Sequence, residues 1–339
     1  MAAVNEIGVS VVVPVYGSAR ILPSLVESLE PVLREAAGDA FEVILVHDDG
    51  PDDSWSVIRS LAQSRPWLRG LDLSRNAGQH NAIMAGLRFA GGDVLVTMDD
   101  DLQHDPQDIP RLIECLEAGS DVCYVQFKSR RHAAWKRLGS RFNDLVARWL
   151  LRKPAGLYLS PYRAFRKHVR DEVLRYCGPF VYLDGLILQS TARVSVIHGE
   201  HHTRRDGKSG YSLRKSISLW LQMATSFSVA PLRLASMAGI FFSLVGFLLA
   251  AALVIQKAIN PATPVGWTSL IVAILIVGGI QLLALGVIGE YVGRVLLNVA
   301  NRPQFVAREF LNLDIARAGH APHRSPEFPS HPTQAGVDQ

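Results

Sequence analysis

Cysteine is scarce. The three present, Cys115, Cys123 and Cys177, are scattered and odd in number. That excludes a disulfide framework and a metal-binding thiolate spacing, and it fits reduced thiols in a cytosolic compartment. Charge is thin as well: 19% of residues are charged and 48% hydrophobic, so part of the chain is expected in lipid. The balance of 35 basic and 31 acidic residues, a net +4, is too small by itself to suggest nucleic acid, and none is expected as a partner. No Gly-x-Gly-x-x-Gly and no Walker pattern occurs, which excludes an ordinary dinucleotide or ATP cradle. The opening residues lack a basic region followed by an apolar one, so no signal peptide is expected.

What is present is organised around residues 97–105, Thr-Met-Asp-Asp-Asp-Leu-Gln-His-Asp. They follow an apolar run that reads as a buried strand. Three acids at a strand's end cannot all enter an apolar core, because an unpaired buried carboxylate is too costly. In an extended segment alternate side chains share a face. Asp99, Asp101 and Gln103 are therefore expected on one face and Asp100 on the other. Two carboxylates and an amide oxygen make a hard oxygen site suited to Mg²⁺ or Mn²⁺ holding phosphate oxygens. The bland alternative is a solvated acidic loop.

The first hundred residues alternate between strand and helix patterns. An apolar β-branched run predicts a central strand over 9–16, and further strands are expected over 41–47, 68–73 and 94–98. Helical spacing predicts helices over 21–34, 54–63 and 81–90. Polar clusters follow the strands, including Asp48-Asp49-Gly50 and Arg75-Asn76-Ala77-Gly78. This α/β pattern predicts a doubly wound, mainly parallel sheet with its ligand at the strands' carboxyl ends.

Four motifs in order, Val-Pro-Val-Tyr (13–16), Asp-Asp-Gly (48–50), Arg-Asn-x-Gly (75–78) and Asp-x-Asp-Leu-Gln (99–103), resemble those of family 2 glycosyltransferases of the GT-A fold. The resemblance implies a nucleotide-sugar donor. It implies that Pro14 and Tyr16 flank the nucleoside, that Asp48 or Asp49 contacts the base, and that Asn76 and Asp100 line the donor site. It also implies that Asp99, Asp101 and Gln103 hold the metal and the sugar diphosphate, with Asp101 catalytic. The chain departs from the family at Gly17-Ser18, where Asn-Glu is common, and at Pro51, where Ser is common, so the base is left open.

Further along, a helix is expected over 109–118 and a strand over 122–127. From Trp135 to Arg152, apolar residues recur at helical spacing with Lys136, Arg137, Arg141 and Arg148 between them. This reads either as a membrane-surface helix or as a helix packed on the sheet with a solvated basic face. Asp184, inside an apolar stretch, is read either as a helix cap or as a residue reaching the acceptor site. Residues 201–211 are cationic and hold two glycines, Gly207 and Gly210. Such a loop closes over a diphosphate, with Arg204 and Lys208 neutralising the leaving group, or lies beside anionic lipid.

Residues 234–256 and 258–289 carry no charged side chain, and a spanning helix needs about 20 apolar residues. Pro261 and Pro264 separate them. The expected organisation is a catalytic domain over 1–212, an interfacial helix over 213–233 and two transmembrane helices within 234–298, at about 234–256 and 266–289. A C-terminal tail over 299–339, disordered at its end, follows. Arg204, Arg205, Lys208, Arg214, Lys215 and Arg233 precede the hairpin, Arg294, Arg302 and Arg308 follow it, and Lys257 alone lies between its spans. By the positive-inside rule, the catalytic domain and both termini are expected in the cytoplasm of a multi-pass inner-membrane protein.

This order, with Arg-x-x-Gly-x-Ser-x-Tyr at 204–211 ahead of the two spans, resembles the polyprenyl-phosphate glycosyltransferases. Among these it is nearest to the undecaprenyl-phosphate 4-deoxy-4-formamido-L-arabinose transferases, with dolichol-phosphate mannose synthases and bactoprenol glucosyltransferases more distant. The resemblance implies inverting transfer of a sugar from a nucleotide donor to polyprenyl phosphate, for cell-envelope glycan or lipid modification. It implies that Arg130, Arg137 and Ser140 hold the acceptor phosphate, that Arg204 and Lys208 act in catalysis, and that the protein is a homo-oligomer, a tetramer. Processive polysaccharide synthases share the first hundred residues but carry a Gln-x-x-Arg-Trp motif and more spans, both missing here. A non-catalytic membrane scaffold is the alternative from another class, and the intact Asp99, Asp101 and Gln103 argue against it.

Overall fold

Strand β1 (Val9–Val15) is buried along its whole length, as its run of valines requires. The computed structural model describes residues 8–127, 157–199, 230–259, 266–300 and 303–313. β1 pairs in parallel with β2 (Phe41–His47) on one side and β4 (Val94–Thr97) on the other, and β2 pairs in parallel with β3 (Leu68–Leu73). β5 (Val122–Phe127) and β7 (Val194–Gly199) are parallel, and β6 (Arg163–Arg166) runs antiparallel between β4 and β5. With β8 (Ala307–Leu311) the sheet has eight strands in the order β7-β5-β6-β4-β1-β2-β3-β8.

Strand alternation divides the core into two layers. Val9, Val11, Val13 and Val15 pack on one face with α1 (Leu22–Ala37), α2 (Ser54–Gln63) and α4 (Asp108–Glu117). Val12, Ile44 and Val46 face α3 (Gln79–Phe89), α5 (Lys167–Leu174) and α6 (Leu183–Ser190). In α1 the expected stripe of Leu22, Leu25, Leu29 and Leu33 is buried, each side chain contributing about 1.5–3 kcal/mol. α3 lies so close to the sheet that a Cβ at Gly86 would overlap Val12 and come within 3.0 Å of Val46 Cγ2. That approach seats α3 on β1 and β2.

Two long helices follow, α7 (Ala230–Ile259) and α8 (Trp267–Val299), extending past the expected spans. Ile240, Phe247, Leu282 and Leu285 are exposed on them, the reverse of a soluble core helix. Among the described residues Ile276–Leu297 is long and apolar enough to cross a membrane, and α7 holds a shorter apolar stretch, Ala235–Leu249. Beyond the helices the chain rejoins the sheet. Residues 307–311, assigned by sequence to the tail, form β8 antiparallel to β3, with a bulge between Asp72 and Leu73. Asn312 Nδ2 donates to the carbonyls of Ala62 and Leu68, both at 3.0 Å. The expected helix over 135–152, residues 213–229 of the expected interfacial helix over 213–233, the loop over 201–211 and the tail after 313 lie outside the described residues; residues 230–233 belong to α7.

Candidate active site

The loops after β1, β2, β3 and β4 meet at the carboxyl edge of the sheet. Asp48, at the end of β2, accepts the backbone N–H of Ala77 at 2.7 Å and of Gly78 at 2.9 Å, one on each carboxylate oxygen. Its own carbonyl accepts Asn76 Nδ2 at 3.1 Å. One buried aspartate therefore shapes the Arg75–Gly78 loop that leads into α3. Burial pushes the Asp48 acid above its ordinary value, and the two N–H groups pull it back.

The next turn is equally constrained. Asp49 adopts a left-handed φ of 48°, uncommon for a residue with a Cβ. A Cβ on Gly50 would stand 2.9 Å from the Gly17 nitrogen, so only glycine lets this turn pack on the loop after β1. Gly50 N–H donates to His47 Nε2 at 3.1 Å, and His47 Nδ1 sits 2.7 Å from Asp72 Oδ1. The proton is on Nδ1, because Nε2 must be bare to accept. The Tyr16 ring is 57% exposed beside this turn, available for stacking.

The acidic stretch is not extended. β4 ends at Thr97, and Leu102 takes a left-handed φ of 58°, which bends the backbone and removes the basis for assigning faces by alternation. The three acids instead point to three partners. Asp99 Oδ1 accepts Gln79 Nε2 at 2.6 Å, Asp100 Oδ2 accepts Tyr16 N–H at 3.1 Å, and Asp101 Oδ1 accepts Gln103 N–H at 3.2 Å. Asp99 N–H donates to His104 Nδ1 at 3.0 Å. The His104 ring is held between Tyr162 and Phe127, with centroids 4.9 and 5.5 Å away. Asp100 is thus turned toward β1, as a residue on the opposite face would be.

Under this edge lies a buried polar cluster. Arg163 pairs with Asp184, and its Nε donates to Thr97 Oγ1 at 3.2 Å; Tyr124 Oη donates to Asp184 Oδ1 at 3.1 Å. Asp184 does not cap α6: the cap position is Tyr182, and no side-chain hydrogen bond is made there. A buried carboxylate needs a cation, and Arg163 supplies it. His80, in the first turn of α3, meets Tyr182 edge-on at 5.5 Å. Its Nδ1 is buried without a hydrogen-bond partner.

Residues 10–179 match the model of Glycosyl transferase family 2, and residues 230–295 match the GtrB C-terminal hairpin. The chain belongs to glycosyltransferase family 2. It is 33% identical over 304 residues to the undecaprenyl-phosphate 4-deoxy-4-formamido-L-arabinose transferase of Serratia proteamaculans (strain 568), covering 89% of this chain and 93% of that protein. The protein of the same name from Pseudomonas savastanoi pv. phaseolicola (strain 1448A / Race 6) is 35% identical over 309 residues, covering 88% and 89%. Among solved structures, glucosyl-3-phosphoglycerate synthase from Mycobacterium tuberculosis aligns with a TM-score of 0.46 and 20% identity over 64% of this chain and 76% of that one.

In this family 2 glycosyltransferase, the fold brings Tyr16, Asp48, Asp49, Asn76, Asp99, Asp100, Asp101 and Gln103 to one sheet edge, with Pro14 on β1 paired to Val46. Arg130, Arg137, Ser140, Arg204 and Lys208 lie outside the described residues. No cluster of three His, Cys, Asp or Glu side chains suited to a metal exists among the described residues. The donor set still fits Mg²⁺ or Mn²⁺, which takes one or two carboxylates and completes its shell with water and substrate phosphate. Asp99 and Asp101 are partly exposed and offer such a pair.

Sequence reasoning missed several residues of this edge. His104 and Gln79 fix Asp99, and Arg308 reaches Asp49 at this edge from β8. His104 was visible as the polar residue closing the acidic motif. The strand left no such sign, because Ala307-Arg308-Glu309-Phe310-Leu311 does not alternate between apolar and polar residues.

Proposed function

We propose that this glycosyltransferase moves a sugar from a nucleotide donor to a polyprenyl phosphate at the cytoplasmic face of the membrane, with inversion at the anomeric carbon. The observation that carries the reading is covalent. Two long apolar helices leave the sheet domain and the chain after them returns to the same sheet, so a carboxylate-rich sugar-nucleotide edge is tethered at both ends of a lipid-facing hairpin. The relatives in Serratia and Pseudomonas, named for undecaprenyl-phosphate transfer, support the acceptor class.

Each part of the edge then has work to do. Asp48 fixes the Asn76–Gly78 loop and the Asp49 turn stands beside Tyr16, framing the nucleoside. Asp99 and Asp101, with Gln103, hold the divalent cation. When bound, that cation offsets the charge gathering on the departing nucleoside diphosphate. Gln79 and His104 restrain Asp99 before the donor arrives, which lowers the reorganisation needed at the transition state. Arg204 and Lys208 add positive charge to the leaving diphosphate from the 201–211 loop.

The attacking atom is an oxygen of the lipid phosphate, already ionised at neutral pH. It needs orientation, by Arg130, Arg137 and Ser140, more than a general base. Asp184 fits that economy, since its carboxylate is committed to Arg163 and Tyr124. One direct displacement yields the sugar-phosphate-lipid and a nucleoside diphosphate.

The test is a screen of radiolabelled nucleotide sugars against undecaprenyl phosphate in detergent with Mg²⁺ or Mn²⁺. Label extracted into organic solvent, dependent on both lipid and metal, is expected for one donor. Transfer to a soluble alcohol as readily as to the prenyl phosphate would sink the reading.

A further inference from the structure

Strand β8 follows the hairpin in sequence and carries Arg308 to the donor edge. Arg308 Nη1 donates to Asp72 Oδ2 at 3.2 Å, and Nη2 donates to the Ser74 carbonyl at 3.0 Å and reaches Asp49 Oδ1 at 3.4 Å. The other oxygen of Asp72 takes His47 Nδ1, and His47 Nε2 takes Gly50 N–H. An unbroken chain of polar contacts therefore links the strand after the membrane helices to the turn after β2.

Each link of this relay is fixed in place. Asp72 is fully buried against His47, and Trp55 covers the His47 ring at 6.2 Å. A buried carboxylate needs a cation beside it. Arg308 is the guanidinium that meets Asp72 from the other side.

We propose that Arg308 is a positioning residue for the nucleotide donor: by balancing the charge of Asp72 and reaching Asp49 directly, it holds the Asp72–His47–Gly50 relay that fixes Gly50 and the left-handed Asp49 turn against the Tyr16–Gly17 loop. Donor affinity then depends on docking of the strand that leaves the membrane. The inference rests on the donor-edge reading above.

The experiment uses the full-length protein in detergent with Mg²⁺ and titrates UDP, GDP, CDP and ADP calorimetrically, carrying the tightest forward. Arg308→Ala should bind it about tenfold more weakly, as expected for loss of a charge-assisted contact. Arg308→Lys, which keeps the cation, should recover most of the affinity. The double variant Asp72→Asn with Arg308→Ala should return to within about threefold of wild type, because an amide still accepts His47 Nδ1–H and leaves no charge to balance. A merely structural anchor would instead give additive losses. Arg59→Ala, which removes the cation paired with Glu309 at 2.6 Å on the same strand, should leave affinity unchanged. Unaltered binding by Arg308→Ala, additive loss in the double variant, or an equal loss in Arg59→Ala overturns the inference alone. Failure of the wild-type protein to bind any of the four nucleotides overturns the donor-edge reading and this inference with it.

Discussion

His104 Nδ1 accepts the Asp99 backbone N–H at 3.0 Å, so the acidic motif is fixed by its own next histidine. The ring cannot swing away, because Tyr162 and Phe127 stack on it. Tyr162 Oη in turn donates to the Asp105 carbonyl at 2.7 Å, closing the loop on itself. His104→Phe keeps the stack and deletes only the acceptor. It should cost about 1–3 kcal/mol of stability for the orphaned N–H and lower kcat about tenfold or more by loosening Asp99. His104→Asn, which can still accept, should retain more activity. Thermal unfolding together with steady-state rates separates the two effects, and equal kcat in His104→Phe and wild type would dismiss the role.

Asp101 accepts the Gln103 N–H at 3.2 Å, and it stands partly exposed at the edge rather than in the core. Asp101→Ala should therefore unfold at a temperature close to wild type while losing turnover by a factor of about 10² or more, the scale of a missing electrostatic group at a reacting centre. Wild-type activity should vanish in excess chelator and return with Mg²⁺ or Mn²⁺. Full turnover by Asp101→Ala, or by wild type in chelator, would refute the metal assignment.

Strand positions were legible because their burial is dictated by side chains. The strands expected over 41–47 and 68–73 are β2 and β3 residue for residue, and Leu22, Leu25, Leu29 and Leu33 of α1 point inward. The acids of the motif were legible as residues but not as geometry. Parity along an extended chain assigns faces only while the chain stays extended, and Leu102 at φ 58° ends that. Asp184 was read as a cap or as a residue reaching the acceptor site; the structure excludes the cap, and its partner Arg163 went unseen because it is distant in sequence and such pairing leaves no local trace. β8 escaped notice for a related reason. A five-residue edge strand owes its existence to β3, and Arg308 read as one more flanking positive charge.

Burial lowers the His80 imidazole from its ordinary 6.5 to about 4; Arg163 also lowers it, and Asp184 opposes. Because the folded value lies below the unfolded one, the unfolded chain takes up the proton first as pH drops. The stability held at this site is complete above about pH 6.5 and is lost as pH falls toward about 4, with a ceiling of roughly 3 kcal/mol. His80→Phe fills the same space, and the buried Nδ1 has no hydrogen bond to forfeit. Unfolding midpoints from pH 7.5 to 4.5 should fall less steeply in His80→Phe than in wild type, with the variant gaining on wild type at the acid end. Parallel profiles would show that His80 does not titrate in this way.

The sheet itself constrains the membrane topology. β7 and β8 belong to one sheet, so a chain that crosses the bilayer between residues 199 and 307 must cross it an even number of times. At 1.5 Å per residue each helix is longer than the roughly 30 Å of hydrocarbon, and Lys257 is the lone charge between the uncharged stretches. We predict two crossings, with Pro261 and Pro264 on the side of the membrane away from the catalytic domain. With Cys115, Cys123 and Cys177 replaced by serine or alanine, a Thr263→Cys probe should react with a membrane-impermeant maleimide in intact cells. An Arg20→Cys probe in the loop after β1 should react only once the membrane is opened. Labelling of both probes from the same side would leave the apolar helices lying on the membrane instead of crossing it, and the tethered-hairpin argument would fail with them.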